Sequence, residues 1–188
     1  MASVVSLSDY MDHCGRPMLV LVGLHCSHGE DFSAEVLANC RAALMHGRAM
    51  KLPVAFVRNV RAPKSIHEPR SYPAWLRGFE ARRTDMVFDT LQPSCYSCAE
   101  FCEVMEHSPG NFVIAGLFGE TNCLSTAVDA YHRKHKIIFL EDASASRPRG
   151  NVPASAMHSA VAKIMSVYAT VMKTAAWINR ATEGIAIT

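Results

Sequence analysis

Residues 111–140 decide the fold: Asn111-Phe-Val-Ile-Ala115, then Gly116-Leu-Phe-Gly-Glu-Thr121, then Asn122-Cys123-Leu-Ser-Thr-Ala-Val-Asp129-Ala-Tyr-His132, and finally Lys136-Ile-Ile-Phe-Leu140. A five-residue apolar run closing on glycine has the length and content of a strand covered on both faces. A short turn and a helical stretch lead from it to a second such run. Strand, helix and strand within about thirty residues make a βαβ unit, whose strands lie parallel and whose crossover is right-handed.

The same alternation extends in both directions. Met18-Leu-Val-Leu-Val-Gly-Leu24 reads as the first buried strand, and residues 32–44 place Phe32, Val36, Leu37, Cys40 and Leu44 at helical spacing, with Gly47 as the stop. Residues 53–57 and 86–88 read as strands, and residues 97–106 as a helix with Phe101, Val104 and Met105 on one side. Past Ala143, residues 144–153 are rich in Ser, Arg, Pro and Gly and read as a loop. Pro153 suits the first turn of a helix running to about Met165, residues 167–172 a last strand and residues 174–180 a closing helix. No internal repeat or low-complexity tract interrupts the series. The expected architecture is a single domain over residues 1–188, with its core at about 17–180: a three-layer α/β/α sandwich around a mainly parallel sheet. Such sheets bind ligands at the carboxyl ends of their strands.

Bulk properties narrow the partners. A chain of 188 residues, 49% apolar and 19% charged, supports one well-covered core. The net charge of +2 forms no dense basic stripe, so neither nucleic acid nor a membrane surface is expected; a small-molecule substrate is. No apolar run has the length of a bilayer span and the first residues lack the pattern of a secretory leader, which points to a cytoplasmic location. Seven cysteines without framework spacing read as free thiols.

Residues 58–83 have no periodicity. They carry seven basic residues against two acidic ones, with Tyr72, Trp75 and Phe79 interleaved. A solvated loop is one reading. In the other, Arg58 or Arg77 reaches a pocket to fork onto a carboxylate, and Trp75 and Tyr96 wall it. The series Cys95, Cys98 and Cys102 falls on a helix face without a second cysteine pair, so no metal site is expected there.

Cys123 stands where a strand ends and a helix begins. A thiol in the first turn of a helix is favoured as thiolate by the unpaired N–H groups, and those groups can also hold an oxyanion. Cys123 is therefore the candidate nucleophile. Glu120, three residues earlier, either opposes the thiolate by its charge or carries the proton.

The run from Gly116 to Ala130, followed by Tyr131 and by Phe139-Leu-Glu-Asp142-Ala143, resembles the isochorismatase-like cysteine hydrolases, over residues 18–178. The resemblance implies a hydrolase acting on a non-peptide C–N bond through Cys123, with no cofactor. It implies oxyanion donors at Gly119 and Cys123, substrate contact at Glu120, a cis peptide between Phe118 and Gly119, and a homo-oligomer, dimer or tetramer. Family members also use an Asp at the end of the first strand and a Lys near the third. Alignment puts Gly23 and Thr90 at those positions. His25, two residues past Gly23, is the substitute base. The metal-binding branch of the family uses an Asp and histidines near the second strand, and His67 stands there without them, so no metal is expected. With two partners missing, the alternative is a catalytically inactive relative that binds a metabolite or a protein.

Overall fold

The computed structural model describes residues 16–25, 32–60 and 72–182. Among them six strands form one parallel sheet: β1 (Met18–Val22), β2 (Val54–Asn59), β3 (Met86–Thr90), β4 (Asn111–Leu117), β5 (Lys136–Ala145) and β6 (Thr170–Met172). Their order is β3-β2-β1-β4-β5-β6, so the connections reverse direction between β1 and β4. In an open parallel sheet the crevice at that reversal is where ligands bind.

Helices α1 (Ala34–Ala49) and α5 (Thr174–Thr182) lie on one face; α2 (Ala99–Glu106), α3 (Leu124–His132) and α4 (Ala154–Met165) lie on the other. Strand alternation divides the core between them. Leu19, Leu21 and Phe56 point to the α1/α5 layer, while Val20, Val22 and Val57 point to the layer of α2, α3 and α4. The three-layer sandwich expected from the sequence is therefore the fold.

Several boundaries differ for identifiable reasons. Gly47 lies inside α1, where a Cβ would stand 2.9 Å from Leu19 Cδ2; it permits close helix–sheet packing instead of stopping the helix. Ser33 begins that helix, its hydroxyl accepting the Val36 N–H at 3.3 Å. β5 runs on to Ala145, past the expected end at Leu140. Between the pairs Ile114–Phe139 and Gly116–Ser144 its ladder with β4 is interrupted, and residues 140–143 bow out opposite Ala115.

That excursion gathers helices. The Glu141 carbonyl accepts from His158 Nε2 at 2.7 Å, the Asp142 carbonyl from Asn39 at 2.9 Å and the Ala143 carbonyl from the Cys40 thiol at 2.9 Å. The Asp142 carboxylate accepts both the N–H and the hydroxyl of Thr174 at 2.7 Å, capping α5.

Candidate active site

β4 meets β1 closely because Gly116 has no side chain; a Cβ there would be 2.0 Å from the Val22 carbonyl oxygen. The chain then turns at Phe118, which adopts the left-handed region (φ 66°, ψ 50°), at a cost of about 1–2 kcal/mol for an L residue. Residues Gly119–Cys123 form one π-helical turn ahead of α3. The Phe118 carbonyl accepts from the N–H groups of Thr121 (3.1 Å), Asn122 (2.8 Å) and Cys123 (3.4 Å). Of the two expected oxyanion donors, Cys123 thus has its N–H turned back into the turn. Among the described residues the N–H groups of Gly119 and Glu120 carry no hydrogen bond. The expected cis peptide is not found: the Phe118–Gly119 bond is trans, and the chain turns through the positive φ of Phe118 instead.

The Cys123 side chain is 0% exposed and packs within the core layer of α2, α3 and α4, beside Cys95 and Ala127. Burial drives its thiol pKa well above the ordinary value, and the Glu120 carboxylate pushes the same way. Desolvation outweighs the helix-start field expected to favour the thiolate.

Gly23 and Thr90, the positions that the resemblance aligns with the family's Asp and Lys, are built over with other contacts. Gly23 has φ 73°, and a Cβ on it would stand 3.1 Å from Phe118 Cδ2, so the phenyl ring packs directly against this position, in the core layer of α1 and α5. The Arg147 guanidinium stacks on that ring at 3.8 Å and Phe32 meets it edge-on at 5.7 Å. At the end of β3, buried Thr90 accepts from Asn59 Nδ2 at 3.1 Å, and Asn59 Oδ1 accepts from the Asn122 amide. A chain of carboxamides therefore links the ends of β2 and β3 to the turn that holds Cys123.

The other candidates are spread around the fold. His25 pairs backbone-to-backbone with Trp75 in an isolated antiparallel bridge, and both lie at the end of β1. The Trp75 ring rests on Phe56 at 5.2 Å, on the α1/α5 side of the sheet, whereas Cys123 is on the opposite side. Tyr96 points away from the carboxyl edge. Its hydroxyl is 2.5 Å from Nδ1 of His135, which immediately precedes β5, so the ring lines core and not a pocket. Arg58 is committed to Asp89 at 2.5 Å and stacks on Tyr72 and Trp75. The Arg77 carbonyl accepts from the Arg41 guanidinium at 3.3 Å, at the surface. Glu120 is tied to the segment after β5, accepting from the Arg147 N–H at 3.3 Å and pairing with Arg149 at 3.5 Å. His67 lies outside the described residues.

Sequence reasoning passed over Asn59, Ser144, Ser146 and His158, all near this edge. Ser146 Oγ is 3.2 Å from His158 Nδ1. The available signal was placement: polar residues that end buried parallel strands sit where such sheets bind ligands.

Residues 25–176 match the profile of the isochorismatase domain. Among solved structures, an isochorismatase-type protein from Burkholderia xenovorans superposes with a TM-score of 0.80 at 20% identity, covering 94% of this chain and 91% of that one. A cysteine hydrolase from Pseudomonas syringae gives 0.78 at 18% identity, covering 90% and 94%. The N-carbamoylsarcosine amidase of Thermoplasma acidophilum gives 0.67 at 21% identity, covering 85% and 96%. At these identities the likeness is one of fold. No curated protein matches the chain by sequence.

Proposed function

The chain belongs to the isochorismatase family, and from that premise we propose that it binds a small molecule at the carboxyl edge of its sheet without using Cys123 as a nucleophile. One observation carries this reading: the Cys123 side chain is fully buried in the layer of α2, α3 and α4, while the Phe118 ring stands against Gly23, the position aligned with the family's aspartate. A thiol needs a base or a nearby cation to ionise at neutral pH. At neutral pH burial and the Glu120 carboxylate both favour the protonated form of Cys123. Each pKa unit of elevation costs about 1.4 kcal/mol of thiolate population, and that cost adds directly to the barrier of any thiolate attack.

The second reading is cysteine-dependent hydrolysis of a C–N bond. The position of Cys123 after β4, beside the reversal of strand order, favours it, as does the fold shared with an amidase. In that reading Glu120 is the group at hand to carry the proton.

Alkylation separates the two. Folded protein is treated with iodoacetamide near neutral pH and mapped by peptide mass, with N-carbamoylsarcosine offered in parallel as a probe amide. We expect Cys123 to stay unmodified until denaturant is added, and no ammonia to be released. Rapid native labelling of Cys123, together with ammonia release that Cys123→Ala abolishes, would establish the second reading instead.

A further inference from the structure

The segment leaving β5 holds a nucleophile of another kind. His158, on α4, donates its Nε2–H to the Glu141 carbonyl at 2.7 Å, which leaves the Nδ1 lone pair facing Ser146 Oγ at 3.2 Å. A hydroxyl, an imidazole that can take its proton and a third group that fixes the imidazole's tautomer are the parts of an activated serine. The α-carbon of Gly119 faces the pair: a Cβ there would stand 3.1 Å from Ser146 Oγ and 3.6 Å from His158 Nδ1. Glycine at 119 lets the backbone of the turn approach the hydroxyl closely. The N–H groups of Gly119 and Glu120, which have no hydrogen-bond partner among the described residues, open the same turn.

We propose that Ser146 and His158 form a serine nucleophile and base that take the acyl group of a small carboxylic ester. Ser146 Oγ attacks the ester carbonyl carbon while its proton passes to His158 Nδ1, and the carbonyl electrons move to an oxyanion facing the Gly119 turn. Collapse of that intermediate expels the alkoxide, which takes the proton from Nδ1 and leaves as the alcohol. Water, deprotonated by Nδ1, then releases the carboxylic acid and restores the hydroxyl. The imidazole is backed by a backbone carbonyl and not by a carboxylate, so the imidazolium gains no ion pair. That favours esters, whose alkoxides leave with little help, over amides.

Access lies through the adjoining turn. Ser146 is 4% exposed, and residues 147–152 beside it are fastened to Glu120 by Arg149, whose side chain is 59% exposed at a separation of 3.5 Å. The Glu120 side chain is 6% exposed and also accepts the Arg147 N–H at 3.3 Å, and the Arg147 guanidinium stacks on Phe118, so an ester reaches the hydroxyl only when these contacts open together. The proposal goes beyond the binding reading above and is independent of it, since an adduct on Ser146 and one on Cys123 are distinguished by mass mapping.

The test uses the full chain with 4-nitrophenyl acetate as substrate and a fluorophosphonate as trap. One phosphonyl adduct mapping to Ser146 is expected, in the parent protein and in Cys123→Ala alike. Ester hydrolysis should be lost in Ser146→Ala and slowed about 100-fold or more in His158→Gln, the usual yield of a general base. Absence of an adduct, an adduct at another residue, or a folded His158→Gln protein reacting at the parental rate would each overturn the proposal. Should Ser146→Ala fail to fold, the mapped position of the adduct in the parent protein decides.

Discussion

Cys123 and Ser146 are both nucleophile-bearing residues at the carboxyl edge of the same sheet, and the structure equips them in opposite ways. Cys123 is the residue that motif and position single out, yet its sulfur is enclosed among apolar side chains and other thiols. Ser146, in a stretch of sequence that reads as plain loop, faces an imidazole whose tautomer is fixed by a carbonyl. The difference teaches that the intrinsic reactivity of a side chain counts for less than the group placed to receive its proton. At Gly23, the position the resemblance aligns with the family's aspartate, the Phe118 ring stands against the backbone instead.

The harshest way to break the comparison is Gly116→Ala. Its Cβ would lie 2.0 Å from one backbone atom of Val22 and 2.7 Å from another, at φ 126°. Forcing β4 from β1 disturbs the turn of Cys123 and the Gly119 face of Ser146 together. We expect a loss of at least about 4 kcal/mol, the range of exceptional single substitutions, read by urea denaturation; a variant as stable as the parent would show that this contact does not set the spacing of the two strands.

Asn59→Ala acts on one side alone. It strips the buried Thr90 hydroxyl and the Asn122 amide of a partner, and unpaired buried polar groups cost about 1–3 kcal/mol. Stability should fall by that amount and iodoacetamide labelling of Cys123 should quicken, while Ser146 keeps its reactivity. Equal effects on both residues would mean that the two sites are mechanically one.

The smallest effect is a pH dependence that should touch neither nucleophile. Burial holds the His46 and His135 pKa values below the ordinary histidine value. His46 meets Trp177 edge-on at 5.1 Å, and His135 takes the Tyr96 hydroxyl. The unfolded chain binds these protons more readily than the folded one, so the stabilisation is complete above about pH 6.5 and declines as pH falls through the depressed folded values. Thermal melts from pH 7.5 to 5 should show the decline, and His46→Gln should flatten it. A melting temperature rising toward pH 5 would contradict the assignment.

Much of the architecture was legible because apolar runs and helical spacing are local. Met18-Leu-Val-Leu-Val and Asn111-Phe-Val-Ile-Ala have the length and β-branched content of buried parallel strands, and the βαβ unit followed from them. Side-chain direction was not legible. Tyr96 follows a strand end, which suggests a pocket wall, but its hydroxyl finds a partner in His135 at the other end of the sheet. Phe118 reaches Gly23 only because its own backbone is left-handed, a conformation no propensity assigns to phenylalanine. The pairing of Ser146 with His158 depends on how β5 continues past residue 140, which the polar content of that stretch concealed.

The excursion of residues 140–143 also bears on how the molecule comes apart. Three consecutive carbonyls and one carboxylate there fasten α1, α4 and α5 to β5. No helix of that set can detach without loosening the others' anchorage, so the slowest-exchanging amides in deuterium should be shared between β5 and all three helices, protected by a single global opening rather than by separate local ones.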